Sequence, residues 1–162
     1  MKPISEKVLV VVYSYHHMNT EKIADVIACI LGAEVKRPRD ILPETITDYG
    51  LIGFGAGIDS GKHYKPMLEF ASALPAAAGR KAFIFSTAGV TGEKKITRDH
   101  KALREKLLSK GYEIIGEFGC KGFNTNSVLK LFGGMNKGRP NAEDLKAAAA
   151  FAHVLKERTG NV

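Results

Sequence analysis

From position 13 the chain reads Tyr13-Ser14-Tyr15-His16-His17-Met18-Asn19-Thr20, with hydroxyls at both edges and neither glycine nor a Lys or Arg inside. This stretch follows an apolar run and leads into helical sequence. A short strand-to-helix loop can wrap a phosphate with successive backbone N–H groups, and the helix start adds the positive end of its dipole. Ser14, Asn19 and Thr20 can donate to phosphate oxygens without bringing a full charge. The pattern suits a phosphate monoester neutralised by dipoles. The plainer reading is that Asn19 and Thr20 only cap a helix. His16 and His17 are adjacent, so on an extended loop they point apart, and they do not supply the ligand set of a metal site.

Other nucleotide motifs are excluded by residue type. A Walker A loop needs G-x-x-x-x-G-K-[ST], and the nearest approach, Ala56 through Gly61-Lys62-His63, fails at the first glycine and at the hydroxyl. A dinucleotide fingerprint needs G-x-G-x-x-G between the first strand and first helix, where this chain has no glycine. The Gly53, Gly55, Gly57 alternation lies two strands later with the wrong spacing. A phosphoacceptor receiver would carry acids at the end of its first strand, where Tyr13 and Ser14 stand.

The elements that must position this loop are legible as apolar runs and helical periods. Continuous runs at 8–13, 51–54, 82–85 and 112–115 read as strands buried on both faces of a parallel sheet. A short polar strand at 33–36 suits a sheet edge. Helical patterns cover 20–31, with Gly32 placed as a C-cap, and 66–74, with Pro66 in the first turn and Pro75 as the stop. Two more cover 98–110, ending at Gly111, and a final helix after Pro140, with Asn141 as N-cap and Asp144 in the capping-box position. The alternation is that of a doubly wound α/β domain, in which ligands bind outside the carboxyl ends of the strands. The segment 120–139, rich in Gly, Asn and Lys, reads as a functional loop.

At 162 residues the chain fits a single domain, 1–162. No apolar stretch approaches a membrane span, the start lacks an apolar h-region, and Cys29 and Cys120 form no disulfide framework. A cytoplasmic protein is expected, with no membrane association. Cys120 sits beside Lys121, yet a buried, inert thiol is the expectation. The net charge of +7 is concentrated: residues 80–110 carry nine Lys or Arg against three acids, a net +6. No aromatic residues interleave with those charges, so no nucleic-acid platform is expected.

The run Tyr13 to Ala24 resembles the FMN phosphate loop of flavodoxins, a Ser/Thr-rich loop ending in Asn-Thr and entering the first helix. The resemblance continues at Gly57-Ile58-Asp59-Ser60-Gly61-Lys62-His63-Tyr64, at Ser86-Thr87-Ala88-Gly89, at 119–125 and at 132–140, and so spans nearly the whole chain. It implies a three-layer sandwich with a five-stranded parallel sheet in the order 2-1-3-4-5 and helices on both faces. It also implies FMN as cofactor. Ser14, Tyr15, His16, His17, Met18, Asn19 and Thr20 would hold the phosphate, while Gly57, Ile58, Asp59 and Tyr64, with Thr87, Ala88, Gly89 and Val90, would flank the isoalloxazine ring. The sequence departs from the flavodoxin pattern in two places: Met18 stands where glycine is usual, and the loop at 88–92 offers no aromatic ring.

The expected role is a flavin electron carrier meeting an acidic redox partner. The alternatives are an NAD(P)H-dependent FMN or quinone reductase, and a relative without flavin that acts as an interaction module. The small residues at 88–92 leave room for a second ligand, and Lys94, Lys95 and Arg98 could attract a nucleotide phosphate.

Overall fold

The computed structural model describes residues 7–15, 17–122 and 136–160. Four of the five parallel strands lie where the sequence placed them: β1 (Val8–Tyr13), β3 (Leu51–Asp59) and β5 (Lys81–Ala88) on apolar runs, the last two extending past the runs at 51–54 and 82–85, and β2 (Glu34–Lys36) as the short polar strand. The last, β6 (Glu113–Lys121), is longer than its four-residue signal at 112–115: Ile114 packs toward one core and Ile115 and Phe118 toward the other, while Gly116, Glu117 and Gly119 interrupt the apolar run. These strands are parallel in the order β2-β1-β3-β5-β6, which is the expected 2-1-3-4-5. A sixth, two-residue strand, β4 (Lys62–His63), folds back antiparallel on β3 and was not expected.

Helices α1 (Asn19–Leu31) and α5 (Ala142–Thr159) cover one face of the sheet. On the other face lie α2 (Lys65–Ser72) and α4 (Lys101–Ser109). Each face buries its own cluster. Val10, Val12, Phe83 and Phe85 meet Ile23, Ile27, Ala148 and Leu155 on the first. Leu9, Val11, Phe54 and Ile84 meet Met67, Phe70, Leu103 and Leu107 on the second. Alternate residues of β1 therefore serve opposite cores, which is why its sequence is uniformly apolar.

Local signals explain the ends. Gly32 closes α1 in the left-handed region at φ 63°, with its N–H donating to Ala28 O. Asn141 and Asp144 form the complete capping box at the start of α5. The link from β2 to β3 contains two 3-10 turns, Pro38–Asp40 and Pro43–Asp48. The helix expected over 98–110 is instead two, α3 (Glu93–Asp99) and α4, which meet at His100. The basic residues Lys94, Lys95 and Arg98 thus all sit on α3, so the helical segment begins five residues before the expected start at 98. The break falls where the side chains of Asp99 and His100 turn inward, with 2% and 0% exposure.

Candidate functional site

The first loop, the turn after β3 and the loop after β5 converge at the carboxyl end of the sheet, as a doubly wound topology requires. Within the first loop, His16 lies outside the described residues. Tyr15, His17 and Met18 are exposed and Ser14 is half-buried, its Oγ accepting a hydrogen bond from Glu21 N at 3.4 Å. Asn19 and Thr20 are buried. Thr20 Oγ1 shares a 2.8 Å hydrogen bond with Thr87 Oγ1, so the helix start is tied directly to the end of β5. Asn19 packs on Gly122 at the end of β6, where a Cβ would stand 2.6 Å from Asn19 Nδ2. Two of the three residues that the sequence offers as phosphate donors, Asn19 and Thr20, are thus also the fastenings of the loop to the sheet.

His17 and Met18 both hold left-handed backbone, at φ 50° and 53°. A Cβ disfavours that region by crowding the backbone carbonyl, and such strain collects at ligand-binding turns. It also explains why a glycine is the ordinary choice at position 18. Met18→Gly should therefore raise stability, by about 0.5–1 kcal/mol after the unfolded-state entropy cost. A urea midpoint at or below wild type would show that the strain is not there.

On the ring side, β3 turns through Ser60 and Gly61, at φ 52° and 77°, into β4. Positive φ at both central residues is the two-residue hairpin geometry that matches strand twist. Tyr64 follows the hairpin and lies over Gly57, where a Cβ would come 2.4 Å from its ring. The rings of Tyr13 and Tyr15 meet Tyr64 edge-on at centroid distances of 5.9 and 6.3 Å. Three aromatic rings therefore gather at the ends of β1 and β3: Tyr64 from the ring candidates, Tyr15 from the phosphate candidates, and Tyr13. Ile58 is half-buried and Asp59 exposed. Across the cleft, Thr87 is buried, Ala88 and Gly89 are half-buried, and Val90 is exposed. That loop is held from behind: Gly122 N donates to Ala88 O at 3.0 Å, and Asn136 Nδ2 donates to Gly89 O at 2.7 Å.

Beneath the hairpin runs a polar chain, buried at His63, Ser86 and His100 and reaching the surface at Glu117 and Arg104, that sequence reading did not assemble. His63 Nε2 donates to Phe85 O at 3.1 Å and its ring lies 4.9 Å from that of His100. His100 Nε2 shares a 2.7 Å hydrogen bond with Ser86 Oγ, while its Nδ1 donates to Glu117 Oε1 at 3.1 Å. Arg104 closes the chain by donating to both carboxylate oxygens of Glu117, at 3.0 and 2.8 Å. Burial, with His100 alongside, pushes the His63 imidazole down to about 3. Burial works against ionisation of Glu117 too, but hydrogen bonds from His100 and Arg104 overcome it and hold its carboxyl near about 2.

Hydroxyl, imidazole and carboxylate in line have the order of a hydrolytic triad. Here Ser86 is 2% exposed, and Ile96 packs over Gly119 beside it. The chain fixes the hairpin and the start of α4 to the sheet instead of presenting a nucleophile.

Burial pushes the Cys120 thiol up to about 12, with Asp144 adding to the effect, as its expected inertness requires. Cys29 is exposed on α1. Iodoacetamide at pH 8 should accordingly label one cysteine of the folded protein, Cys29. Labelling of both under native conditions would contradict this assignment.

The flavodoxin domain family matches residues 10–155. The chain belongs to that family. It is 49% identical over 149 residues to an uncharacterized protein of Methanocaldococcus jannaschii, covering 92% of this chain and 97% of that one. Its fold is similar to oxidised Flavodoxin 2 from Bacillus cereus, with a TM-score of 0.70, 18% identity and coverage of 94% and 99%. It is also similar to a Fusobacterium nucleatum flavodoxin bound to flavin mononucleotide, with a TM-score of 0.65, 12% identity and coverage of 94% and 98%. Among the described residues of this flavodoxin-family chain, no helix is long and apolar enough to cross a membrane.

Proposed function

We propose that this chain is an electron-transfer flavoprotein that binds FMN at the carboxyl end of its sheet. The observation that carries the reading is the Thr20–Thr87 contact, which brings the glycine-free first loop and the loop after β5 to one place, beside the Tyr13, Tyr15 and Tyr64 rings. A phosphate monoester suits the first loop, with Ser14 and the start of α1 supplying donors and a positive dipole end. An isoalloxazine ring suits the space between the Gly57–Tyr64 hairpin and residues 87–90, with Tyr64 as its aromatic neighbour. FMN supplies one- and two-electron redox chemistry when bound. The protein supplies position, exclusion of water and charge. Membership in the flavodoxin family supports this reading, and so does the FMN bound in the Fusobacterium nucleatum relative.

Titration of the purified protein with FMN tests it directly. Quenched flavin fluorescence and a perturbed absorbance band are expected, and a protein that ignores FMN overturns the proposal. A turnover assay with NADH or NADPH and a quinone separates carrier from reductase. Negligible hydride transfer is expected.

Charge sets two further expectations. Lys94 and Arg98 are exposed on α3, immediately after the loop that flanks the ring site. Their field favours a negative reduced flavin and an acidic redox partner. Lys94→Glu with Arg98→Glu should lower the hydroquinone midpoint potential and weaken partner association at low salt. A potential that does not move in the double variant would place these charges out of reach of the flavin.

A further inference from the structure

A hollow of about 280 Å³ opens on the β2 side of the first loop. It is lined by Tyr13, Ser14 and Met18 at the end of β1 and in the loop after it, by Arg37, Pro38 and Arg39 after β2, and by Pro66 in the first turn of α2. The 3-10 turn beginning at Pro38 places both guanidiniums there, directly after β2. Arg37 also faces Glu21 at 3.8 Å and Arg39 faces Asp40 at 3.8 Å, but these pairs are long and exposed, so they hold the two side chains weakly. The neighbouring acids Glu21, Asp25 and Asp40 line a separate hollow on the far side of Arg37.

Three features define what fits. The cavity shares Ser14 and Met18 with the loop that would hold a flavin phosphate, so an occupant can be the continuation of that same ligand. Its size is below that of ordinary ligand pockets, about 300–1,000 Å³, and suits one nucleoside and not a whole dinucleotide. Its position, at the carboxyl end of β2 beside the first helix, is where doubly wound nucleotide-binding sheets receive the nucleoside that extends from a phosphate at the first helix. Apolar ring and proline walls suit a purine, and a pair of arginines suits a phosphate.

We propose that this hollow receives the second phosphate and the nucleoside of a dinucleotide flavin, so that the chain accepts FAD as well as FMN. The proposal rests on the flavin reading above, and it predicts a difference between two cofactors that share every atom of the ring and first phosphate.

Equilibrium titrations with FMN, FAD and AMP, followed by flavin fluorescence and by calorimetry, test it on the wild type and on Arg37→Ala/Arg39→Ala. FAD is expected to bind within about tenfold of FMN, and the double variant to lose about tenfold in FAD affinity while keeping its FMN affinity. FAD binding more than about a hundredfold weaker than FMN overturns the proposal and leaves the flavin site standing. Equal losses for both flavins also overturn it, by assigning the arginines to the first phosphate. If AMP alone binds and its binding is abolished in the double variant while FAD is refused, the hollow is a separate nucleotide site and the dinucleotide proposal fails. Failure to bind either flavin defeats the underlying flavin reading instead.

Discussion

As pH falls from 6.5 toward 3, the protein is expected to lose up to about 5 kcal/mol of stability through one side chain, His63. The imidazole is 1% exposed, its Nε2–H donates to Phe85 O, and its Nδ1 has no hydrogen-bond partner among the described residues. Such a site accepts only the neutral ring, and its pKa falls to about 3, first from burial and next from His100. The unfolded chain, by contrast, takes up a proton near pH 6.5. Between those values the unfolded state binds more protons, so stability is complete above about 6.5 and drains away as pH falls through the window. A span of about 3.5 units at about 1.4 kcal/mol each sets the magnitude.

Glu117, held near about 2, draws stability in the same direction, but only below its ordinary value of 4.5. The interval from pH 6.5 to 5 therefore isolates His63, where about 2 kcal/mol is expected. Urea midpoints at pH 7 and pH 5 measure it, with His63→Gln as the control. Glutamine keeps a donor for Phe85 O and does not titrate. A wild-type midpoint that is flat over this interval, or an equal slope in the glutamine variant, would refute the assignment.

Replacing Gly55 by alanine should cost about 3 kcal/mol or more. Gly55 of β3 pairs with Phe85 of β5, and Gly53 pairs with Phe83 in the same way. Each phenylalanine ring lies flat over its partner glycine, so that a Cβ at 55 would stand 2.2 Å from two atoms of the Phe85 ring. Both phenylalanines are fully buried and stack 6.0 Å apart. A close-packed interior yields little room, so the ring must leave its rotamer or the strand must shift. Pairing Gly55→Ala with Phe85→Leu should recover part of the loss, because the smaller side chain vacates that space. Denaturation of the two single variants and the double variant gives the coupling. Strict additivity would mean that the clash is relieved elsewhere.

These glycines illustrate what could be read from residues alone. Their alternation in β3 ruled out a dinucleotide fingerprint by spacing, but its real cause is a pair of rings contributed by a strand thirty residues away. The elements themselves were legible because their signals are local: uniformly apolar β1, the C-cap at Gly32, the capping box at Asn141 and Asp144. The order of strands followed from the family resemblance, and the first loop's polar makeup marked the end of the sheet where the ring candidates also fall. What stayed hidden depends on distant partners. The hairpin at Ser60-Gly61 has a two-residue arm that carries too little pattern to register. The break at His100 is imposed by Ser86 and Glu117, on two other strands. Thr20 reads as a helix cap in sequence, and its partner Thr87 becomes visible only when β5 is laid beside β3.

The hairpin after β3 divides sharply into a fixed base and a free tip. His63 and the bond from Tyr64 N to Gly57 O anchor its stem, whereas Asp59, Ser60, Gly61 and Lys62 stand in solvent. This makes the tip a replaceable cassette. Charge, length of side chain and hydrogen-bonding groups at 59 and 62 can be exchanged at the rim of the proposed ring site while the scaffold below is left untouched. The constraint on such engineering is confined to the two left-handed positions, where Gly, Asn or Asp must be kept in mind. A library built on those four residues would sample redox environments on a constant fold.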